Sequence, residues 1–269
     1  MNATKKTKIR LDKMLVERGL VASRERAQAV ILAGRVLVDE QKMEKPGTAV
    51  AEDAAVRMLG DDMRYVSRGG LKLEEALRYW RIRLEDVACC DVGASTGGFT
   101  DCMLQHGAAS VLAVDTGYGQ IAHKLRTDAR VTLRERCNAR LLGVGELVGA
   151  QAVGFLAMDV SFISATLVLP AMVGALARDG ERWRGEAVVL VKPQFEAGRE
   201  FVGKGGIVRE EAAWRLAVER VRECVAALGG TGVEVIDSPI TGMEGNREYL
   251  LRGVFGGTKT NADSTDDHR

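Results

Sequence analysis

The chain has 269 residues, 46 % of them hydrophobic, enough for one well-cored domain and a small appendage. No apolar run approaches the roughly 18 residues needed to span a bilayer, and the opening MNATKKTKIR lacks the apolar stretch of a secretory signal. A cytoplasmic protein with no membrane partner is therefore expected. The net charge of +1 hides a basic head, since residues 1–45 carry 11 Lys and Arg against 6 Asp and Glu, a balance suited to a polyanion. Five cysteines, Cys89, Cys90, Cys102, Cys137 and Cys224, are odd in number and form no C-x-x-C pair, which argues against a zinc site and a disulfide framework. His106 and His123 lack companions at ligand spacing, so no metal is expected.

In chain order, Leu11, Met14 and Leu15 have helical spacing and Gly19 stops that helix. Ser23 is placed to cap a second helix, with Ala27, Val30 and Ile31 facing inward until Gly34. Val36 and Val38 then alternate with their neighbours as in a half-buried strand. The pattern RLD, RG, SRERA, ILAGRVLVD resembles an S4 RNA-binding domain over residues 8–60. That resemblance turns the basic head into an expected RNA surface carried by Arg10, Arg24, Arg26, Arg35 and Lys42.

Residues 61–70 read as a connector, because charged residues and glycines replace the apolar rhythm. From Leu71 apolar runs alternate with helical segments, which predicts a parallel sheet covered on both faces, an α/β fold. The runs are 87–92, 110–115, 131–135, 154–160, 186–192, 232–237 and 248–255, giving seven strands. Only a short turn-like stretch separates the last two, too short for a crossover helix, so the seventh strand should run antiparallel. The domain is expected over 71–256, with a disordered tail over 257–269.

Residues 91–101, DVGASTGGFTD, follow the first of these runs. A phosphate-binding Walker loop needs a Lys followed by Ser or Thr, which is missing here. The glycines stand as G-x-x-x-G-G rather than in the dinucleotide spacing G-x-G-x-x-G. What remains is a strand, an acid at its end and a tight turn into a helix. In open parallel sheets ligands bind beyond the carboxyl ends of the strands, and there the motifs fall in order: Asp91 and its turn, Asp115, Asn138, Asp159 and Lys192. A carboxylate at Asp115 suits the two hydroxyls of a ribose.

DVGASTGGFTD, AVDTGYGQIAHKLR, DVSFIS, LVKPQFEAGRE and GNREYLL together resemble the Rossmann-like methyltransferases that use S-adenosylmethionine, and among them the FtsJ-type ribose 2′-O-methyltransferases of the TlyA group. The resemblance implies a seven-stranded methyltransferase domain behind a small α+β S4 domain. It implies a cofactor site at Asp91, Gly93, Ser95, Thr96, Gly97, Gly98, Phe99, Asp115, Asn138 and Asp159, and a Lys-Asp-Lys-Glu tetrad of Lys72, Asp159, Lys192 and Glu248. Glu244 is the alternative fourth member. A ribose hydroxyl is a poor nucleophile at neutral pH, and Lys192 is the expected base or hydroxyl-orienting group. Lys72 is expected to position the 2′-oxygen or a neighbouring phosphate.

Arg68, Arg199 and Lys204 extend the expected RNA contacts, the latter two on a glycine-rich stretch, 194–206, read as a loop closing on phosphates. The implied substrate is ribosomal RNA, free or in a subunit, with cytidine ribose as the target and a monomeric enzyme. Base methylation is disfavoured because DVSFIS stands where amino-methyltransferases carry an N-P-P-Y-type motif. The remaining alternatives are a haemolysin-like membrane-active protein and a noncatalytic RNA-binding assembly factor.

Overall fold

A computed structural model describes residues 7–21, 23–59, 64–149, 151–178, 181–242 and 244–256. The tail expected at 257–269 and the first residues of the expected connector, 61–63, lie outside the described residues. The chain divides into two compact units between Arg64 and Tyr65.

In the first unit, β1 (Lys8–Arg10) leads into α1 (Leu11–Glu17) and α2 (Arg24–Leu32). Four short strands follow: β2 (Val36–Val38), β3 (Gln41–Met43), β4 (Ala49–Ala51) and β5 (Val56–Met58). β1 pairs antiparallel with β4, and β2 lies between β3 and β5. The Ser23 hydroxyl caps α2 by accepting the Arg26 backbone N–H at 3.2 Å. Leu11, Met14 and Leu15 of α1 pack with Ala27, Val30 and Ile31 of α2 and with Val36 and Val38 in one core. β2 departs from the half-buried expectation, since Leu37 is buried too. As the central strand of its sheet it has a neighbour on either side.

The second unit opens with α3 (Gly69–Trp80). Its strands are β6 (Ala88–Val92), β7 (Ser110–Val114), β8 (Val131–Arg134), β9 (Val153–Met158), β10 (Gly185–Val191), β11 (Gly230–Asp237) and β12 (Tyr249–Phe255). Its remaining helices are α4 (Gly98–Gln105), α5 (His123–Arg126), α6 (Ala165–Ala175), α7 (Pro193–Glu196) and α8 (Glu211–Ala227). The sheet order is β11-β12-β10-β9-β6-β7-β8. β12 is antiparallel to both neighbours, while the pairs among β10, β9, β6, β7 and β8 are parallel. The expected seven strands and reversed last strand are thus present.

Period-two alternation divides the strand residues between two cores. Cys89, Phe155, Ala157, Val188 and Leu190 face Leu73 and Leu77 of α3 and Met103 of α4. Cys90, Leu156, Met158, Val189 and Val191 face Leu169 and Met172 of α6 and Val221 of α8. By this parity Asp91 shares a face with Cys89, which carries it toward α4 rather than into solvent.

The connector is shorter than its composition suggests, because Tyr65 is buried in the second unit's core with Leu73 and Phe99. Gly70 makes room for it, since a Cβ there would collide with the Tyr65 ring. The Val66 N–H also donates to Asp101 Oδ2 at 2.8 Å. Two apolar residues inside a charged stretch are enough to fix it to the domain.

Candidate active site

The site forms where β6, β7, β9 and β10 end and β12 begins. Because β12 is reversed, Tyr249 pairs with Val191, the last residue of β10. Glu248 is therefore delivered to the same edge as Lys192. β6 and β9 are adjacent although the chain passes from β6 to β7 on the other side, so the crevice between them is the topological switch point.

A cavity of about 460 Å³ opens at that crevice, and Gly93, Ser95, Asp115, Asn138, Asp159 and Ser161 are among the residues lining it. Gly93 has φ +83°, and a Cβ on it would strike the Asp159 carbonyl oxygen, so glycine is required on both counts. Asp115 accepts the Ser95 N–H at 2.8 Å through Oδ2 and the Gly117 N–H at 2.6 Å through Oδ1. Each oxygen keeps a further lone pair. Asn138 Oδ1 accepts the Arg140 N–H at 3.2 Å, which leaves its amide donors available at the cavity wall.

Other turn residues act from behind that wall. Gly97, at φ +95°, starts α4, and Gly98 brings that start against α3, where a Cβ would lie 3.0 Å from the Gly70 nitrogen. Phe99 is a core residue packed beneath α3, and Thr96 is exposed, its carbonyl taking the Ala122 N–H at 3.1 Å. Asp91 is wholly buried; its Oδ2 accepts both the Thr100 N–H at 2.9 Å and the Thr100 hydroxyl at 2.6 Å, while Oδ1 has no partner. Burial pushes this carboxyl up to about 7. The Thr100 hydrogen bonds oppose the rise, and the charges of Asp159 and Asp115 add to it.

Two lysine–carboxylate pairs stand at this edge. Lys72, on α3, lies 2.5 Å from Glu248 Oε2, and both residues are buried. Lys192 Nζ lies 2.5 Å from Asp159 Oδ1 as an ion contact, while its aligned hydrogen bond goes to Ser161 Oγ at 2.7 Å. Glu244 is exposed beside Gly206, and it is Glu248 that meets Lys72. Sequence reasoning named Asp159 within DVSFIS but passed over Ser161 and Phe162. Phe162 is 92 % exposed with φ +65°, lines the cavity, and has its ring 5.6 Å from that of Phe195. A left-handed aromatic residue left in solvent is the kind of local strain that accompanies functional sites.

The basic residues are placed differently from one another. Arg10 and Arg24 both grip the buried Asp12, at 2.9 and 3.1 Å, joined by Gln28 at 3.3 Å. The Arg10 guanidinium holds the Asp12 carboxyl well below the usual carboxylate range, with burial opposing and Arg24 and Gln28 assisting. Arg26 and Arg35 are half-buried, and Lys42 is exposed 3.1 Å from Glu44. In the second unit Arg68, at the start of α3, is exposed, as are Arg199 and Lys204. The glycine-rich stretch holding the last two forms two 3-10 turns, Arg199–Phe201 and Lys204–Gly206. It is tethered by buried Asn246, which accepts the Val208 N–H at 3.0 Å and donates to the Gly206 carbonyl at 2.8 Å.

A seven-stranded sheet with a reversed last strand, a switch-point cavity and two lysine–carboxylate pairs at the same strand ends together define a methyltransferase-type catalytic domain. The model of the FtsJ-like methyltransferase family matches residues 65–255, and that of the S4 domain matches residues 9–56. The chain is 45 % identical over 243 residues to the 16S/23S rRNA (cytidine-2′-O)-methyltransferase TlyA of Mycobacterium tuberculosis, covering 90 % of this chain and 88 % of that one. It is 46 % identical over 244 residues to the candidate rRNA methyltransferase YqxC of Bacillus subtilis, covering 91 % and 85 %. A solved structure of a candidate hemolysin from Streptococcus thermophilus is 40 % identical, with TM-score 0.70, over 93 % of this chain and 90 % of that one. The chain therefore belongs to the TlyA family, in which an S4 domain is joined to an FtsJ-like methyltransferase domain. It is a methyltransferase. Among the described residues no helix is long and apolar enough to cross a membrane.

Proposed function

We propose that the protein transfers a methyl group from S-adenosylmethionine to the ribose 2′-hydroxyl of cytidine in ribosomal RNA, acting in the cytoplasm on free RNA or ribosomal subunits. The observation that carries this reading is the pair of ion contacts Lys72–Glu248 and Lys192–Asp159 at the strand ends where the cavity opens, with Asp159 itself in the cavity wall. Cytidine as the target follows the activity for which the M. tuberculosis relative is named.

The cavity residues and those behind them fit the cofactor. Behind the wall at Val92 and Gly93, Asp91 Oδ1 is a buried acceptor with no partner, which suits a positively charged amino group reached directly or through water. The spare lone pairs of Asp115 suit ribose hydroxyls, and Gly93 admits close backbone approach. When bound, the cofactor would supply an electrophilic methyl group on its sulfonium, to be transferred to the 2′-oxygen with release of the neutral thioether. Lys192, as the charged ammonium, holds and orients that oxygen through an N–H, and the hydroxyl proton is released to water. Asp159 balances the charge on Lys192 and lines the cavity that would hold the cofactor. Glu248 fixes Lys72, whose remaining N–H groups are free for the 2′-oxygen or a neighbouring phosphate. Exposed Phe162 offers a face on which a base can stack. In the S4 unit, Arg26, Arg35 and Lys42 supply contacts to the RNA backbone.

The test is to incubate the protein with S-adenosylmethionine and separated ribosomal subunits, digest the RNA to nucleosides and identify the product by mass spectrometry. The expected product is 2′-O-methylcytidine; a base-methylated nucleoside contradicts the ribose reading, and another 2′-O-methylnucleoside contradicts only the choice of base.

A further inference from the structure

We infer that Ser161 is a positioning residue for the methyl-transfer step, acting as the acceptor that aims Lys192. This rests on the reading of Lys192 given above and adds a residue outside the Lys-Asp-Lys-Glu set.

The ammonium group of Lys192 is almost enclosed, with 7 % of the residue exposed. Its carboxylate neighbour Asp159 supplies charge at 2.5 Å, but charge attraction alone is only weakly directional. Direction comes from the hydrogen bond to Ser161 Oγ at 2.7 Å. Ser161 takes the one aligned N–H and Asp159 covers another flank of the ammonium, so the remaining N–H donors are left for a substrate oxygen. Ser161 itself is exposed and lines the cavity, so the interaction sits at the reaction face rather than within the core.

An acceptor can aim a lysine only if it is itself held, and the segment carrying Ser161 is held at both ends. At one end the Asp159 N–H donates to the Val92 carbonyl at 2.9 Å. At the other, buried Glu196 reaches from α7, just beyond Lys192, to take the Ser164 hydroxyl at 2.5 Å and the Ala165 N–H at 2.6 Å. The tips of β9 and β10 are thus linked twice, through Lys192–Ser161 and through Glu196–Ser164/Ala165. Between the two links lies Phe162 with its left-handed backbone, a conformation that persists only where the surroundings over-determine it. The backbone cost is consistent with a segment built to fix the place of Ser161.

The experiment compares wild-type protein with Ser161→Ala, Ser161→Thr and Lys192→Ala. It measures single-turnover methyl transfer to ribosomal subunits, S-adenosylmethionine affinity by calorimetry and subunit affinity by filter binding. A misaimed catalytic group costs on the order of 100-fold. Ser161→Ala is expected to lose roughly that in the single-turnover rate, with both affinities kept within about threefold, and Ser161→Thr, which keeps the hydroxyl, to regain most of it. Wild-type rates in Ser161→Ala beside an inactive Lys192→Ala overturn the inference and leave the reading of Lys192 standing. A Ser161→Ala defect explained by lost cofactor affinity, or one that threonine fails to rescue, also overturns it. Wild-type rates in Lys192→Ala overturn the reading beneath it and the inference together.

Discussion

Asp91 has a hydrogen-bonding deficit that should be visible in the stability of the cofactor-free protein. Burial lifts its carboxyl from 3.8 to about 7, so the folded state favours the protonated form. Its contribution to stability is complete below 3.8 and is lost as pH rises through about 7. Thermal melts should show this as a midpoint that falls between about pH 4 and pH 7 and levels off above, with the fall flattened in Asp91→Asn; an unchanged slope in that variant contradicts the assignment. Lys72 and Glu248 behave differently, because each neutralises a charge the other would strand. Glu248→Ala or Lys72→Ala should cost roughly 3 to 5 kcal/mol in denaturant unfolding, while the double change to Met and Leu restores stability and leaves the enzyme inactive. A single variant as stable as wild type contradicts a closed buried pair.

At the scale of elements, the strands were legible because the runs around Cys90, Leu156 and Val189 are apolar on both faces, and a short link before Tyr249 permits only an antiparallel return. The short pairings of β1 with β4 and of β2 with β5 were not legible, since three-residue strands give too little alternation to read. Spacing alone could not bring Lys72 to Glu248, which are separated by 176 residues; the order of motifs in a resembling family suggested it. Ser161 left no such signal, because a serine acquires its role from the lysine that folding brings to it. The stretch after β10 read as glycine-rich and loose, yet Asn246, distant in sequence, ties its end down. Asn246→Ala should leave the buried Val208 N–H without its acceptor, cost about 2 kcal/mol, and speed proteolysis between residues 198 and 208. Cleavage at the wild-type rate contradicts the tether.

For the whole molecule, the proposed function divides the work between RNA attachment by the S4 unit and chemistry by the methyltransferase unit, and their charges can be tested apart. Arg35→Ala with Lys42→Ala should weaken subunit binding and lower its logarithmic salt slope by about 0.7 to 0.9 for each phosphate that is no longer neutralised. S-adenosylmethionine affinity should be unchanged, and a salt slope equal to wild type contradicts an RNA-facing role for these residues. Arg10 and Arg24 are poorer probes, because removing either disturbs the Asp12 cluster and therefore the fold of the first unit. The central claim concerns the second unit, and the most direct measurement uses labelled methyl donor, ribosomal subunits and alkaline hydrolysis of the recovered RNA. A 2′-O-methyl group removes the hydroxyl that alkali needs, so the adjacent phosphodiester survives. The account predicts label in alkali-stable dinucleotides with wild-type protein and none with Lys192→Ala; label released in mononucleotides, or undiminished in that variant, would contradict it.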